Sequence, residues 1–455
     1  MNAFETELMR RSPLAGCVLE LSDHVFDRQL LESIYQEHRG RCYEDVLTFE
    51  SFLTLMRDAL VDHGGSAHQL FVELEDRQAN PINESNFYRK LARMPVAVSR
   101  ALLREGSGRL RDLMPGPVSI LPACLDAFEV VIGDGKKIKD AAKRLAPTRG
   151  FSGKLIGAKA LVAIDARSGL ALAMSDSLDG LTNDVPLVPE LMEQLREIIA
   201  RPILSVWDRQ FDDARTMNRL SQRAGDAFVV RTKRSHTFVP ESTVPTRDSQ
   251  GRRISDEIGL LGKGKVKLRL RRITLSRPGE EDVILLTNLL DSGAYSAGDL
   301  LELYRKRWGI EQVFQQVTET FSLAHLIGSA PKAVLLQFSF CLLLYNMMQV
   351  IKAYVAQDGA VLAATVSMYY LFDHTRRELQ AWAYHTDGTW PRTSRDTAAM
   401  RQRLHDLLRG VWNPMLFTKA SDKKPRGKPK LKIRLHGGHS SVQRVLEGRA
   451  KVVSS

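Results

Sequence analysis

The strongest constraint on the fold comes from the middle of the chain, where strand-like and helix-like segments follow one another in a defined order. Three β-branched or alternating runs come first, AFEVVIGDGKKI, ALVAIDARSG and LALAMSDS, and the last two meet at a Ser168-Gly169 turn. A helix (VPLVPELMEQLREIIA), a strand (RPILSVWDRQF), a helix (DDARTMNRLSQRAG) and a strand (DAFVVRTK) then alternate. Three successive strands followed by alternating strands and helices predict an α/β fold with a mixed sheet flanked by helices.

Two of these strands end in an aspartate. Asp134 lies at the end of the first strand and Asp208 at the end of the fourth. Open α/β sheets bind their ligands beyond the carboxyl ends of strands, so both positions are candidates for a functional site. A single aspartate at such a position is more often a turn former or a helix cap. The interpretation therefore depends on a third acid elsewhere in the chain.

That third acid lies in the segment YRKRWGIEQVFQQVT, residues 304–318, which predicts a helix. Residues seven apart return to nearly the same helical face, so Tyr304, Glu311 and Thr318 share one side, with Arg307 one turn from the first two. An adjoining apolar stripe would seat the helix on a core and consists of Leu303, Ile310, Phe314, Val317 and Phe321. By itself the pattern also describes an amphipathic helix with a solvated charged face. The two strand-end aspartates favour the functional interpretation.

Composition indicates the kind of partner. The 455 residues include 65 Lys and Arg against 53 Asp and Glu, which gives a formal net charge of +12 and favours a polyanion such as nucleic acid or an anionic membrane surface. The most apolar run, residues 333–351, contains Gln337, Asn346 and Gln349, so a buried helix is predicted rather than a membrane span. The N-terminal residues do not form a signal-peptide pattern. Four scattered cysteines predict reduced thiols in a cytoplasmic protein without a structural zinc site.

The first 118 residues predict a helical domain, for which DNA binding is one interpretation. Its segment 83–114 is strongly basic and reads as two helices broken near Pro95, with Asn83 or Ser85 as the N-cap. The basic side chains are Arg89, Lys90, Arg93, Arg100, Arg104, Arg109 and Arg111. Two helices with a basic second half suit a helix-turn-helix-like module that binds duplex DNA. The charged surface of an ordinary helical bundle remains an equally open interpretation.

The remaining chain divides by composition. Residues 119–235 predict the first part of the catalytic core, and 236–292 a β-rich basic insertion in which KVKLRLRRITL would form a strand with one apolar and one cationic face, a candidate platform for a DNA backbone. Residues 293–355 predict the Glu311 helix and the rest of the core, and 356–420 a helical C-terminal region with a loop at 388–395. The lysine-rich and arginine-rich segment that begins at 421 predicts a basic tail over 421–455 that attracts polyanions without specificity.

Three acids remote in sequence can form one metal site. If Asp134, Asp208 and Glu311 converge, their carboxylate oxygens suit two hard divalent cations, Mg²⁺ with Mn²⁺ as a substitute. Two such ions can activate an attacking oxygen and stabilise a leaving oxygen during displacement at phosphorus. The dispersed histidines, including the close pairs His63 with His68 and His436 with His439, lie in glycine-containing contexts and read as loop residues.

At these residues the chain resembles the bacterial DDE transposases of the insertion-sequence-four type, whose catalytic core is a ribonuclease-H-like fold interrupted by a β-insertion. Asp134 and Asp208 match the two aspartates of that family. Tyr304, Arg307 and Glu311 keep the spacing of its Tyr-x2-Arg-x3-Glu-x6-Lys signature, whose last position is Thr318 here. The resemblance covers about residues 120–355.

The family carries further implications for the site. Tyr304 and Arg307 would contact phosphate near the transposon end, and Arg209, beside the second aspartate, is a further predicted DNA contact together with Arg89, Lys90 and Arg93. Some relatives trap a flipped base with a tryptophan in the insertion. This sequence has no tryptophan between Thr232 and Tyr295. Phe238 and His236 are the nearest substitutes.

The resemblance implies metal-dependent nicking at element ends followed by attack of the freed 3′-hydroxyl on target DNA. The partners would be double-stranded DNA and a second copy of the chain on paired ends, in the bacterial cytoplasm and on the nucleoid when bound to DNA. Some relatives pass through a hairpin intermediate. Two alternatives stay open: a metal-dependent nuclease or resolvase on the same core, and a DNA-binding protein without catalysis, to which Thr318 points.

Overall fold

We describe the fold from a computed structural model. It describes residues 7–8, 10–42, 46–61, 63–76, 82–139, 141–233, 237–249, 252–262, 267–276, 279, 281–320, 323, 325–385, 396–418 and 439–450.

The central element is a nine-stranded mixed sheet. The strands are β1 (Glu129–Ile138), β3 (Ala158–Asp165), β4 (Ala171–Ser177), β5 (Ile203–Trp207), β6 (Ala227–Thr232), β7 (Phe238–Ser249), β8 (Arg252–Leu261), β9 (Leu268–Ser276) and β10 (Val283–Thr287); the short strands β2 (Lys154–Ile156) and β11 (His439–Ser441) pair separately. The sheet order is β4-β3-β1-β5-β6-β10-β9-β8-β7. β3 is antiparallel to both of its neighbours, whereas β1, β5 and β6 are parallel. This arrangement of the first five strands is the ribonuclease-H-like sheet that the sequence predicted.

The insertion extends the same sheet. β10 pairs antiparallel with β6, and β9, β8 and β7 follow outward as a meander. The outermost strand, β7, was not predicted from the sequence because it contains two prolines, one of them Pro240. Proline lacks the N–H that a central strand needs, but an edge strand tolerates it.

The predicted cationic face of β9 is wrong at Arg271. This guanidinium is fully buried, makes a two-pronged ion pair with Asp256 on β8, and donates to the carbonyl oxygen of Tyr295 at 2.6 Å. Two neighbouring arginines on β9 are also paired, Arg269 with Glu241 and Arg272 with Glu257. The charges of β9 therefore stabilise the insertion internally and do not form an open cationic face.

Helices pack against the sheet and form most of the described chain before β1 and after β10. They are α1 (Pro13–Val25), α2 (Arg28–His38), α3 (Phe49–Val61), α4 (Ala67–Asp76), α5 (Glu84–Arg93), α6 (Val96–Asp112), α7 (Val188–Ile198), α8 (Ala214–Leu220), α9 (Ala297–Lys306), α10 (Trp308–Glu319), α11 (Pro331–Asp358), α12 (Met368–His385), α13 (Thr397–Leu408), α14 (Pro414–Phe417) and α15 (Val442–Leu446). The predicted break near Pro95 and the N-cap at Asn83, whose side chain accepts from the Ser85 N–H, are confirmed.

The apolar run at 333–351 lies in α11, the central helix of the molecule. α11 is long and apolar enough to cross a membrane, but its whole apolar window is buried inside the protein, as in the core helix of a soluble fold. Its Asn346 side chain binds both backbone groups of Ala171 on β4 and donates to the Ser107 hydroxyl on α6 at 2.9 Å. α11 is therefore fixed on one side to the sheet and on the other to the N-terminal helices.

Several arginines of the basic segment hold α6 against the core. Arg100 pairs with Asp176 and Glu190, and Arg104 with Glu197. Arg111 pairs with Glu129 at 2.8 Å. These guanidinium groups serve intramolecular contacts, so the second of the two basic helices acts as part of the core packing.

The C-terminal segment differs from the predicted tail. Residues 439–441 form β11, which pairs in parallel with β2, and the following α15 carries Arg444, which pairs with Asp179 at 2.7 Å. Residues 439–450 thus fold onto the core. The lysine-rich part at 421–438 and the predicted loop at 388–395 lie outside the described residues.

Candidate active site

The two aspartates predicted at strand ends belong to neighbouring strands at the centre of the sheet: Asp208 directly follows β5, whereas Asp134 lies within β1, which continues to Ile138. β1 and β5 are parallel neighbours whose register ends with Ile132 opposite Val206, and two more residues along each chain lead to Asp134 and Asp208. Adjacent strands are about 4.8 Å apart, and residues two apart point to the same face. Ile132 and Val206 both belong to the core under α11, and the two aspartates share that side of the sheet. The predicted convergence of these two acids therefore follows from strand register.

Glu311 reaches the same side on a helix that is interrupted. The predicted single helix over 304–318 is instead α9 and α10, which meet at Arg307, where the Ile310 N–H bonds the Arg307 carbonyl in a tighter turn. The apolar stripe is confirmed at Leu303, Ile310, Phe314 and Val317, all buried, while Phe321 lies outside the described residues. Arg307 keeps helical backbone angles across the break, so the predicted common face of Tyr304 and Glu311 is retained.

The Arg307 guanidinium links two of the acids. Its Nη1 lies 3.6 Å from Oδ2 of Asp134, and its Nη2 lies 3.4 Å from Oε1 of Glu311. Arg307 is only 7 % exposed, and its Nε has no hydrogen-bond acceptor in the described part of the chain. Burial lowers the pKa of this guanidinium, but nearby Tyr304 and Asp134 offset the effect and its net pKa is raised. Arg307 is thus a fixed cation between two acids, with a buried Nε–H that lacks an acceptor among the described residues.

The pKa of Asp134 is raised to about 6. Burial is the main cause, Arg307 and the Gly135 N–H act in the opposite direction, and the negative charges of Asp208 and Glu311 raise it further. Asp208 and Glu311 therefore both lie within electrostatic reach of Asp134. Asp134 remains ionised in the folded protein at neutral pH only at a free-energy cost.

This cost predicts a pH-dependent effect of Asp134→Asn. A carboxyl whose pKa rises on folding destabilises the folded state as pH increases from the unfolded pKa, 3.8, to the folded one, about 6. In EDTA we expect the variant to match the wild type near the acid end of this range and to exceed its free energy of unfolding by on the order of 2–3 kcal/mol at pH 7.5. Urea unfolding of both proteins across this pH range measures the difference between their free energies of unfolding. The contributions of the other carboxylates are common to both proteins and cancel in that difference. A pH-independent difference would contradict the raised pKa.

The oxygen atoms of Asp134, Asp208 and Glu311 are ligands that a hard divalent cation prefers, and the three residues lie on one face of the sheet. This donor set consists of carboxylates, two of them within or directly after neighbouring strands, and the ionised form of Asp134 is short of counter-charge. Within the described ranges, no three His, Cys, Asp or Glu side chains stand close enough to hold an ion as they are. Glu311 has a 46 % exposed side chain directed at Arg307, so it is free to turn towards the aspartates. Asp134, Asp208 and Glu311 are the residues that would hold the metal.

A buried ion pair lies under Asp134 on the opposite face of the sheet. Lys159 on β3 lies 2.5 Å from Asp184, and both side chains are almost fully buried. Gly135 leaves the space for this pair, because a Cβ there would come within 2.2 Å of the Asp184 carboxylate. Gly133 similarly admits the Trp207 ring. The glycines on either side of Asp134 therefore let the sheet pack closely beneath the site.

The other predicted contacts have varied surroundings. Tyr304 is buried, with Arg307 5.8 Å from its ring centre, and Arg209 is half exposed at 3.8 Å from Glu281. On α5, Arg89 and Arg93 are exposed, whereas Lys90 donates to the Leu47 carbonyl at 2.6 Å. Their roles in DNA binding stay predictions.

The two proposed substitutes for a base-trapping tryptophan are not equally placed. The Phe238 ring faces the Arg272 guanidinium at 4.3 Å, and His236 lies outside the described residues. Thr318 is half-buried and donates to the Phe314 carbonyl. Phe238 and Thr318 therefore both have interaction partners within this chain.

Sequence reasoning missed Lys136 and the Lys159–Asp184 pair. Lys136 lies two residues after Asp134 and so shares its face, a relation already present in the GDGKK sequence. The partnership of Lys159 with Asp184 joins β3 to the loop before α7, and a local pattern does not contain that information.

The fold and site define a ribonuclease-H-like protein with an acidic centre at its strand ends. Residues 122–347, close to half of the chain, match the family described as transposase DDE domain. The chain is also 26 % identical over 129 residues to the protein of Sinorhizobium fredii named "Putative transposase y4zB". That alignment covers 27 % of this chain and 35 % of the relative, about a third of its length. Together these similarities support a DDE transposase family for this chain.

One solved structure is similar over most of its length. It is the cryo-EM structure of a piggyBac transposase synaptic complex with hairpin DNA, with a TM-score of 0.39 and 12 % sequence identity. The similarity covers 86 % of this chain and 85 % of that one.

Proposed function

We propose that this protein is a DNA transposase of the insertion-sequence-four type, which cleaves DNA at transposon ends and joins the freed 3′-hydroxyl to target DNA. The observation that supports it most is the position of Asp134, Asp208 and Glu311 on one side of the sheet, where the charges of Asp208 and Glu311 both act on Asp134. The match of residues 122–347 to a transposase DDE domain supports the same reaction class.

The reaction would consist of two displacements at phosphorus. In the first, water attacks the phosphorus at the element end, the bond to the 3′ oxygen breaks, and a 3′-hydroxyl and a 5′-phosphate result. In the second, that hydroxyl attacks a target phosphodiester and a new bond replaces the broken one. Bound divalent cations, expected to be two Mg²⁺ with Mn²⁺ as a substitute, supply activation of the attacking oxygen and stabilisation of the leaving oxygen.

The residues of this chain orient the phosphate. Arg307 is held by burial and by Tyr304, and its guanidinium supplies a fixed positive charge beside the proposed position of the phosphate. Asp208 is fixed by the Gln210 N–H, which its carboxylate accepts at 2.7 Å. Arg209 and the exposed arginines of α5 are proposed to contact the DNA backbone outside this centre. We further propose a homodimer on paired ends, in the bacterial cytoplasm and associated with the nucleoid.

One plasmid assay tests this function. A supercoiled plasmid that carries the gene with its flanking DNA is incubated with the protein and Mg²⁺ or Mn²⁺. We expect nicked and linear products, and none in EDTA. A pre-cut end is then offered with a target plasmid, and joined products are expected because the same centre performs both displacements.

The outcomes separate the alternatives. Cleavage without joining would indicate a nuclease or resolvase on the same core. The absence of both reactions, with DNA binding retained, would indicate a DNA-binding protein without catalysis. The contacts of Arg307 with Asp134 and Glu311, which oppose a cation at these acids, are the observation that favours this last candidate.

A further inference from the structure

A lysine-lined groove of about 510 Å³ adjoins the acidic centre. Lys136, Lys137, Lys139 and Lys159 supply its cations, with Asp184, Asn183, Gln210 and Thr318 among the other lining residues. Asp184 neutralises Lys159. Among the described lining residues, Lys136, Lys137 and Lys139 therefore contribute three further positive charges to a groove beside Asp134.

The groove exists because β1 extends beyond its neighbour. β1 pairs with β5 only from Glu129 to Ile132, whereas its pairing with β3 continues to Ile138. The last part of β1 thus borders the groove on one side, and Thr318 of α10 on the other. Because side chains alternate along a strand, Lys136 points to the side of Asp134 and Lys137 to the opposite side.

Lys136 is held in place without an acidic partner. Its Nζ lies 5.5 Å from the ring centre of Phe314 on α10, and within the described ranges no carboxylate lies within ion-pair distance of it. A half-buried cation short of counter-charge gains from an added anion.

We propose that this groove binds the phosphate backbone of DNA next to the scissile phosphate, and that Lys136 contacts one of those phosphates. The proposal rests on the proposed function, since it takes DNA as the substrate. A backbone fits better than a single small anion, because Lys136, Lys137 and Lys139 are spread along the strand and do not converge on one point. The groove would guide the strand that leaves the acidic centre.

Lysine labelling tests the contact in the unmodified protein. The full chain is acetylated with and without a short duplex of mixed sequence, and each lysine is quantified by mass spectrometry. We expect DNA to reduce the labelling of Lys136 and Lys139 severalfold. Lys332, at the start of α11 and outside the groove, serves as the control and should label equally in both samples.

The salt dependence of binding to the same duplex tests Lys136 directly. Each phosphate contact contributes about 0.9 to the slope of log Kd against log salt concentration, so Lys136→Gln should reduce the slope by about that amount. Lys136→Arg should keep it, and so should Lys332→Gln. Adding Thr318→Lys to Lys136→Gln should restore the slope, because Thr318 borders the same groove.

The possible results distinguish the groove from the reaction. If DNA binds while Lys136 labelling and the Lys136→Gln slope stay unchanged, the groove proposal is overturned and the cleavage proposal stands. If the wild type neither binds nor cleaves DNA, the proposed function itself fails. Should Lys136→Gln not fold, the labelling of the wild type decides alone.

Discussion

Replacing Asp208 with asparagine is expected to reduce metal-dependent DNA cleavage by at least about 10²-fold, the scale on which single charge-stabilising groups act in active sites. The substitution removes one negative charge from the centre that would hold the cations and keeps the size of the side chain. The turn after β5 should survive, because the asparagine oxygen can still accept the Gln210 N–H. DNA binding should therefore persist, and plasmid nicking together with a binding titration measures both quantities.

Asp213→Asn is the matched control. Asp213 caps α8 by accepting the Arg215 and Thr216 N–H groups, which asparagine also does, and it lies outside the acidic centre. Cleavage by this variant should stay near the wild-type rate. An equal loss of binding and cleavage in Asp208→Asn would show that Asp208 is structural and would remove the basis for the catalytic assignment.

The second large effect concerns stability. Asp184→Ala leaves the Lys159 ammonium buried without its partner, and breaking such a pair typically costs about 3–5 kcal/mol. We expect a free energy of unfolding lower by an amount in this range, measured by urea denaturation. The double variant Asp184→Ala, Lys159→Met should recover much of the loss, because it removes the uncompensated charge.

An exposed ion pair provides the comparison. Glu281 is 73 % exposed and lies 3.3 Å from Arg231, so Glu281→Ala should change the free energy of unfolding by only about 0–1 kcal/mol. If Asp184→Ala had an equally small effect, water would have to reach Lys159 through the groove, and the pair would not support the sheet under Asp134.

The acidic centre was predictable in part because local sequence patterns identify the strands that carry the aspartates. The β-branched runs before Asp134 and Asp208 predicted two strands, and parallel neighbours bring their carboxyl ends together. The prediction that Glu311 faces the aspartates rested on the apolar stripe from Leu303 to Val317, which determines the direction in which the helix faces. In each case the information lies within a few residues of the acid.

The parts that were missed depend on contacts between distant residues. The ion pair of Arg307 with Asp134 joins residues 173 positions apart, which helix periodicity does not contain. Arg100 appeared to be a surface cation because its partners Asp176 and Glu190 are 76 and 90 residues away. The pairing of β11 with β2 similarly joins the C-terminal residues to the start of the core.

The position of α11 between the sheet and the N-terminal helices affects whether those helices could be exchanged as a separate module during evolution. The segment that matches the transposase DDE domain ends at 347, in the middle of this helix, and Asn346 contacts both the sheet and α6 just before that boundary. A fragment that ended at 347 would expose apolar side chains in the remaining half of α11 and on the strand that packs beneath α6. The N-terminal helices of this protein would therefore be expected to change by gradual substitution in place, and not by exchange of a detachable module.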